Sequence, residues 1–511
     1  MTFTRRRLLA LTVPALTLTA LTVFPAFPEQ AAAQEPAPTS ASSARTPAGT
    51  YDVVVVGSGG AGLSAALSAA EEGASVLLIE KTAVLGGNTL RASGLFNAAD
   101  PERQRPMGIV DSVDWHYEQT MASGAGRNDP ALVRRFVEEA LPTLHWLEGL
   151  GIRFMPETVA TWGAEWPRGH KPLLPRGTAY IRMLSGALLA KGGQIRTRWA
   201  LKELLLNPDA GTREGAAAAL VGIAADAAVA GIVVQTPEGE RVIRARRGVV
   251  LASGGFAASP ERLARWAPDF AAMPTDNAPG NTGEVLDIAK AAGAALANLD
   301  AVQAVPGAPA GRTFQVRLDL DAGRSMLVDG RGAALVDEDL SRVRLAAAIR
   351  SAEGGAFVIT DDAAVESYDP VSRKAIYRGL ETGDAVRAPT VEALAGNLGL
   401  DPATLARTVE AFNGEVQSRT GKCGRIVCRP IATPPFWGSK VVLNVHTTMG
   451  GVVITPEAEV VGTNGRVIPG LYAAGDVVGN LHGANRIGGN GISAAVTMGR
   501  IAGRNAARRR P

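Results

Sequence analysis

The sequence predicts an α/β fold built around a parallel sheet, and three observations carry this prediction. A short β-branched segment, residues 51–56, leads through a glycine-rich turn into an Ala/Leu-rich helix and a second apolar strand that ends at Glu80. Two later apolar segments, residues 249–256 and 470–476, also end in small residues. The chain of 511 residues is longer than one hydrophobic core usually supports, so two domains are expected.

The N-terminal residues are interpreted as a targeting signal and not as part of this fold. Three arginines at residues 5–7 precede an uncharged segment, residues 8–27, and alanines follow it at the spacing of a signal-peptidase site. We expect a twin-arginine-like signal peptide over residues 1–33, a flexible linker over residues 34–49, and export to the periplasm. An anchor that stays uncleaved is the alternative; otherwise the membrane is involved through export alone.

Composition excludes several classes of protein. With 46% apolar and 20% charged residues the chain is that of a globular protein, and a net charge of +3 gives no support to nucleic-acid binding. Two cysteines, Cys423 and Cys428, cannot form a four-cysteine zinc or iron–sulfur site, and no haem-attachment motif is present. No metal site is predicted. The two cysteines form either a small-loop disulfide or two unrelated thiols.

The glycine-rich turn carries the strongest local signal. Gly57 allows a tight turn, Gly59 allows backbone to approach a pyrophosphate, and Gly62 allows close packing of helix and strand. The N-terminus of the following helix offers N–H groups and a positive dipole to that pyrophosphate. Glu80 is positioned to accept a hydrogen bond from an adenosine ribose. The segment therefore predicts a bound dinucleotide.

The later strands indicate which dinucleotide binds. Flavoproteins of the glutathione-reductase type return to the same sheet in this way, and a late Gly-Asp pair, here Gly475 and Asp476, reaches the flavin half of FAD. FAD is therefore favoured over NAD. No second strand–glycine–helix motif is present, so we expect electrons to be exchanged with a separate protein or a quinol-linked donor.

Several further segments carry more specific signals. They are Gly86-Gly87-Asn88-Thr89, Ser93-Gly94, Thr275-x-Asn277, Gly280-Asn281-Thr282-Gly283, His446-Thr447-Thr448-Met449-Gly450-Gly451 and His482-Gly483-Ala484-Asn485-Arg486-x-Gly488-Gly489-Asn490. Together they resemble the fumarate reductase/succinate dehydrogenase flavoprotein superfamily. The resemblance is closest to the soluble, periplasmic flavocytochrome c-type enoate reductases, which include fumarate and urocanate reductases, and it covers roughly residues 51–505.

The resemblance implies a glutathione-reductase-type FAD-binding Rossmann domain interrupted by an α+β capping domain. We expect the FAD domain over residues 50–303 and 446–511 and the cap over residues 304–445, with substrate held between them. The implied FAD contacts are Gly57, Gly59, Gly60, Ala61, Gly62, Glu80, Lys81, Gly87, Asn88, Thr89, Ser93, Gly94, Ser253, Gly254, Asn277, Gly283, Gly475, Asp476, Gly489, Asn490 and Ile492. Asn88 stands where covalent members carry the histidine that links to the flavin, so non-covalent FAD is expected.

The resemblance also implies three catalytic residues. Residues 336–342 match the family segment ending in the arginine that donates a proton to the substrate, which makes Arg342 the candidate donor. Free arginine is a very weak acid, so this role needs a relay that restores its proton; a surface arginine in an ion pair is the alternative. His446 and Arg486 match the pair that grips a substrate carboxylate.

The chain departs from the fumarate reductases at two places. Residues 303–307 read Gln-Ala-Val-Pro-Gly where those enzymes have Gln-Ala-His-Pro-Thr, so Val305 replaces a carboxylate-binding histidine. The family's glutamate relay is also missing, and Asp319 or Asp321 is the hypothetical replacement. These differences favour a substrate with one carboxylate or a bulkier apolar body over fumarate itself. The alternative is a second carboxylate-binding residue in a new position, Arg312, Arg317 or Arg324.

The remaining histidines are weaker candidates. His482 either supports its loop or approaches the site, and His170 is equally consistent with a core, surface or site position. His116 and His145 lie in helical patterns and are interpreted as structural.

Three functions follow from these observations. The first is reduction of an α,β-unsaturated carboxylate by FAD, with electrons from a partner. The second is the reverse, a dehydrogenase that introduces a double bond into an acid or ketosteroid. The third is a flavin-binding partner subunit without turnover.

Overall fold

The structure is a computed structural model that describes residues 45–160, 166–206, 228–307, 323–336, 342–424 and 427–510. From Arg45 onward the chain forms one compact unit. Outside the described residues lie the signal peptide predicted for residues 1–33, the relay candidates Asp319 and Asp321, and two of the alternative arginines, Arg312 and Arg317. The first strand begins at Thr46, so it takes up the last four residues of the predicted linker.

The predicted parallel sheet is the centre of the fold. In the described part of the chain it has eight strands. The path across it runs Glu459–Val461, Val467–Ala473, Gly239–Leu251, Thr46–Val56, Val76–Glu80 and Gln194–Thr197, while Gly231–Thr236 pairs with Gly239–Leu251 and with Ala200–Leu205. The first strand is parallel to both of its neighbours, with Val54 opposite Leu77 and Val249. The carboxyl ends of the central strands therefore meet at one edge, where α/β sheets bind ligands.

Helices cover this sheet. They are Gly60–Glu71, Gly87–Arg91, Pro101–Gln104, Val113–Ser123, Pro130–Gly149, Thr178–Ala190, Pro260–Trp266, Glu284–Ala291 and Asn490–Arg508. The last of these packs directly on the first. A Cβ atom on Gly499 would lie 2.3 Å from the carbonyl oxygen of Ala61, and one on Gly503 would lie 2.0 Å from that of Ala65. These glycines let the two helix backbones touch, which fixes the N-terminus of the first helix at the sheet edge.

A second sheet, antiparallel and five-stranded within the described ranges, is built from the middle of the chain. Its strands are Val302–Gly307, Met326–Val328, Ala356–Asp361, Val386–Ala388 and Phe436–Thr448. The cap boundaries expected at residues 304 and 445 fall inside its first and last strands. Its helices are Arg342–Ser351, Asp362–Glu366, Pro370–Thr382, Val391–Leu398 and Pro402–Ser418.

The second sheet is buried on both faces. Along the strand Ala356–Asp361, Val358 packs with Leu345 and Trp437 in one cluster, while Phe357 and Ile359 belong to the opposite cluster. This alternation follows from the two-residue period of a strand. Cys423 lies in the second cluster, and the structure joins it to Cys428 in a disulfide, which decides between the two alternatives that the sequence left open.

One strand carries the second sheet back to the first. The strand Phe436–Thr448 ends beside the parallel sheet, where the hydroxyl of Thr448 accepts a hydrogen bond from the N–H of Phe256 at 3.2 Å. Val445 also forms an isolated parallel bridge with Thr275. This crossing brings His446 to the edge where the parallel strands end.

Two short antiparallel pairs complete the described sheets: Phe96–Asn97 with Gly169–His170, and Leu296–Ala297 with Gly451–Val452. Among the helices in the described ranges, none is both long enough and apolar enough to cross a bilayer. Within the same ranges no cluster of three His, Cys, Asp or Glu side chains is arranged to hold a metal ion.

Candidate active site

The glycine turn forms a cradle at the N-terminus of the first helix. Gly57 has a φ of 106°, and a Cβ there would lie 2.4 Å from the carbonyl oxygen of Ala252. A Cβ on Gly62 would lie 1.8 Å from the carbonyl oxygen of Gly57. Gly59 differs, because the nearest atom to its Cβ position is the hydroxyl of Thr89 at 3.6 Å. The space in front of Gly59 fits a pyrophosphate approaching the helix N-terminus.

Glu80 holds this turn against the second strand. Its Oε2 accepts hydrogen bonds from the N–H and the hydroxyl of Ser58, at 3.1 and 2.6 Å. Its Oε1 accepts hydrogen bonds from the N–H and the hydroxyl of Thr82, at 2.8 and 2.9 Å. An ionised carboxylate has about four acceptor positions. The four hydrogen bonds from Ser58 and Thr82 match that capacity, so Glu80 has a structural role that the sequence did not indicate. Its contact with the ribose remains a prediction.

Lys81 is bonded to residues just before and at the start of the helix Glu284–Ala291. Its ammonium pairs with the carboxylate of Glu284 and donates to the hydroxyl of Thr282 at 2.8 Å. These contacts tie the end of the second strand to the glycine-rich loop before the helix Glu284–Ala291. Lys81 therefore positions this loop, and its own contact with FAD stays a prediction.

Three of the separate sequence motifs meet at Asn88 and Asn277. The Asn88 amide donates to Oδ1 of Asn277, and the N–H of Ala278 donates to Oδ1 of Asn88 at 2.7 Å. Nδ2 of Asn277 lies 2.9 Å from the carbonyl oxygen of Val445 and 3.1 Å from that of His446. The side chain at position 88 thus fastens the loop of Asn277, which in turn contacts the strand that carries His446.

Asn490 is the centre of a buried polar network. Its Oδ1 accepts from Nδ2 of Asn97 at 2.8 Å and lies 3.0 Å from Nε2 of His116, while its Nδ2 donates to the hydroxyl of Thr120 at 3.1 Å. Burial lowers the pKa of His116 to about 3, and the nearby charge of Arg168 acts in the same direction. His116 is therefore a neutral core residue that orients Asn490, in line with the structural role expected for it.

Arg342 and Arg486 are linked through Gln303. Nη1 of Arg342 donates to Oε1 of Gln303 at 2.7 Å. Nε2 of Gln303 donates to the backbone carbonyl of Arg486 at 2.9 Å and lies 2.6 Å from Oδ1 of Asn485. Gln303 is almost completely buried on the first strand of the second sheet. The side chain of Gln303 thus sets the position of Arg342, the candidate proton donor, relative to Arg486, which is expected to bind the carboxylate.

His446 is bonded to Asp276 and lies within range of the charges of both arginines. Its Nδ1 is 2.7 Å from Oδ2 of Asp276, and its side chain is 21% exposed. Burial lowers the pKa of His446 to about 4; Asp276 opposes this shift, whereas the charges of Arg342 and Arg486 add to it. The imidazole is consequently neutral at neutral pH.

Arg486 is buried with its charge facing two carboxylates. Its guanidinium packs against the first turn of the helix Asn490–Arg508, where a Cβ on Gly491 would lie 2.1 Å from Nη1. Burial lowers the pKa of Arg486, against the attraction of Asp476 and Asp276. Its Nε is buried and has no hydrogen-bond partner among the described residues. A buried, positively charged donor of this kind suits an anionic ligand.

Of the other histidines, His482 is close to the site, whereas His170 and His145 lie outside it. His482 is buried, and burial together with the charge of Arg486 lowers its pKa to about 3, so it stands as a neutral group beside the arginine. His170 lies in the core, with its ring nitrogens 3.0 Å from the Phe96 carbonyl and 3.1 Å from Asp100. His145 is exposed on its helix.

Two residues of the site were missed by the sequence reasoning. Asp276 occupies the variable position of the Thr275-x-Asn277 motif, which gives no signal of its own. Gln303 is the first residue of the segment 303–307, in which Val305 stands in place of a histidine. Nothing in the sequence was a reason to assign a role to the glutamine itself. Val305, which replaces that histidine, is buried in the same strand.

Replacing Gly59 with valine is expected to abolish FAD binding while leaving the fold intact. The added side chain would occupy the space in front of the helix N-terminus, where a Cβ comes no closer than 3.6 Å to any atom beyond the adjacent residues. We expect the purified Gly59→Val protein to lack flavin absorbance and to keep the circular dichroism of the apoprotein. Gly186→Ala, at an exposed helix position with open space around it, is the control and should retain FAD. Normal flavin content in Gly59→Val would contradict this placement of the pyrophosphate.

Comparisons with known proteins agree with this geometry. The FAD binding domain family, FAD_binding_2, matches residues 52–492. A fumarate reductase (cytochrome) of Shewanella frigidimarina is 36% identical over 92% of this chain and 79% of its own. The structure of the open conformation of a flavocytochrome c3 fumarate reductase matches with a TM-score of 0.70 and 31% identity, over 90% of this chain and 79% of that one.

A longer relative is also similar. The NADH:fumarate oxidoreductase of Klebsiella pneumoniae is 33% identical over 90% of this chain, and the chain spans about half of its length, 48%. The chain belongs to the FAD-binding flavoprotein family that includes the fumarate reductases. It is an FAD-dependent oxidoreductase, and the cradle at Gly59 fits the pyrophosphate of that cofactor.

Proposed function

We propose that this protein reduces the carbon–carbon double bond of an α,β-unsaturated carboxylate. The observation that carries the proposal is that Gln303 bonds to both Arg342 and the backbone of Arg486, while the charges of both arginines act on His446. FAD, when bound, supplies hydride chemistry at this edge. The similarity to fumarate reductases supports the same reaction class.

Arg486 is proposed to bind the substrate carboxylate. A guanidinium forms two parallel hydrogen bonds with a carboxylate, which orients the double bond as well as binding it. His446, whose pKa is lowered in part by the charge of Arg486, is proposed to bind the same group. Because Arg486 is buried, water competes poorly for these contacts.

Arg342 is proposed to deliver the proton that completes the reduction. Its bond to Gln303 holds the guanidinium at a fixed distance from the Arg486 loop, and therefore from the bound carboxylate. Positioned proton transfer of this kind typically contributes about 10²–10⁴-fold to a rate. Asp319 or Asp321 remains the proposed source of the replacement proton.

The proposed substrate has one carboxylate or an apolar body. Val305 is buried and its apolar side chain offers no hydrogen-bond donor to a second carboxylate.

The electron donor is proposed to be a separate protein or a quinol-linked carrier, since the sequence carries a single dinucleotide motif. We further propose non-covalent FAD, consistent with the amide at Asn88, and export to the periplasm.

The test is anaerobic. The FAD of the purified protein is reduced with dithionite, unsaturated acids from fumarate to urocanate and aryl acrylates are added, and the return of oxidised flavin absorbance is followed. Rapid return with one acid supports the proposal and identifies the substrate class. If none reacts and a saturated acid or steroid bleaches the oxidised enzyme, the protein is a dehydrogenase; tight FAD that reacts with neither, with a partner co-purifying, indicates a non-catalytic subunit.

Replacing Gln303 with leucine is expected to lower kcat by about 10- to 100-fold, because a hydrogen bond to a charged group is worth about 1.5–3 kcal/mol. KM should change less, since Arg486 keeps its guanidinium. The measurement is steady-state kinetics with the acid identified above. Gln104→Leu is the matched control, because Gln104 is equally buried and bonded to Asp111 away from these residues. Equal loss of kcat in both variants would indicate a general packing defect.

A further inference from the structure

A carboxylate outside the known motif positions lies behind His446. Asp276 is mostly buried, with 11% of its side chain exposed. Its backbone carbonyl accepts a hydrogen bond from Nε of Arg91 at 2.7 Å, and its N–H donates to the carbonyl of Val445 at 3.2 Å. Asp276 is thus held by the helix Gly87–Arg91 and by the strand Phe436–Thr448, which carries His446.

The contact with Asp276 determines which nitrogen of His446 carries the proton. A carboxylate only accepts hydrogen bonds, so Nδ1, 2.7 Å from Oδ2 of Asp276, must be the protonated nitrogen. In a neutral imidazole the other nitrogen, Nε2, is then an acceptor. The ring therefore presents a lone pair, not an N–H group, on the side away from Asp276.

The charges around His446 come from three different elements. Asp276 belongs to the loop before Asn277, Arg342 to the helix Arg342–Ser351, and Arg486 to the loop before the last helix. Burial and the two arginines keep the imidazole neutral, while Asp276 favours its charged form. The balance changes when an anion binds, because its charge offsets the arginines.

An acceptor nitrogen and a carboxylate oxygen repel each other when they meet. We propose that Asp276 is a positioning residue that keeps Nε2 of His446 unprotonated in the free enzyme, so that binding of the unsaturated carboxylate takes up one proton from solvent onto Nε2. The new N–H then donates to the carboxylate, and the imidazolium lies between the substrate anion and Asp276. This inference rests on the proposed function. It extends that function by stating that one proton is taken up from solvent when the substrate binds.

The sign of the pH dependence follows from this step. The bound anion raises the pKa of His446 above its value in the free enzyme. Between these two pKa values the complex holds one more proton than the free partners, so the Kd of the acid rises about tenfold for each unit of pH. Above the pKa of the complex no proton is taken up and the Kd becomes constant.

The experiment uses the oxidised holoenzyme. Fumarate, acrylate and cinnamate are titrated from about pH 5.5 to about 8.5, where each acid is ionised, and binding is followed by the change in flavin absorbance. Proton uptake is measured in weak buffer with an indicator dye. With whichever acid binds, we expect uptake approaching one proton per acid at the low end of the range and a Kd that rises with pH.

Asp276→Asn separates this role from a merely structural one. The amide can donate to Nδ1, which makes the neutral tautomer with Nε2–H available without any proton from solvent. Uptake should disappear and the Kd should become nearly independent of pH. The control is Asp52→Asn, since Asp52 is similarly buried and is bonded to Arg246 and Ser75, within the first strand Thr46–Val56; it should keep the wild-type pH profile.

Each outcome bears on the inference. An acid that binds to the wild-type protein without proton uptake would overturn it while leaving the proposed function standing. If no acid binds, the proposed function fails, and the tautomer is tested in the free holoenzyme by nitrogen-15 NMR of its five histidines, with His446→Gln as the assignment. A protonated Nε2 in that spectrum would overturn the role of Asp276.

Discussion

Arg342→Ala is expected to lower kcat by about 10³-fold, within the range that positioned proton transfer contributes. Alanine removes both the proton donor and the partner of Gln303, while the carboxylate grip at Arg486 stays in place. KM should therefore change little. The measurement is single-turnover reoxidation of the reduced flavin by the acid identified as substrate, compared with steady-state kcat and KM.

Arg344→Ala is the matched control for this variant. Arg344 lies on the same helix two residues further on and is exposed, so its loss should leave kcat unchanged. Arg342→Lys tests the chemistry more finely, because lysine keeps a positive charge but not the planar guanidinium. An Arg342→Ala protein with normal kcat would remove Arg342 from the proton-donor role.

Arg486→Ala is expected to raise KM by about 10²-fold or more. Removing one partner of a desolvated charge pair costs about 2–5 kcal/mol, and each 1.4 kcal/mol is a factor of ten in affinity. The substrate carboxylate loses its main partner, and Asp476 is left buried without the opposing charge that favours its ionised form. The measurement is the Kd of the acid for the oxidised enzyme, together with KM.

Arg500→Ala controls for the loss of a buried arginine. Arg500 is as buried as Arg486, but its guanidinium lies over the ring of Trp146, 4.9 Å from the centroid, and donates to Thr143. Both variants should melt at a lower temperature, whereas only Arg486→Ala should bind the acid weakly. Comparable weakening in both would show that the effect comes from destabilisation and not from a lost carboxylate contact.

The main strands could be predicted because their signals are local. The segments predicted at 51–56, 249–256 and 470–476 correspond to the strands Thr46–Val56, Gly239–Leu251 and Val467–Ala473. Runs of apolar and β-branched residues followed by glycine determine a buried strand and its end without reference to the rest of the chain. Boundaries were less accurate, since pairing with neighbouring strands extends a strand beyond its apolar segment.

The FAD-binding fold could be predicted from the sequence, which also indicated glycines for a pyrophosphate, Arg342 as a candidate proton donor, and His446 and Arg486 as candidates for binding a carboxylate. The tertiary structure alone decided their partners, because Gln303 meets Arg486 across 183 positions and Asp276 meets His446 across 170. Contacts at such separations depend on how the two sheets cross, which no local pattern encodes. For the same reason Glu80 and Lys81, singled out as cofactor contacts, also proved to hold the cradle itself together.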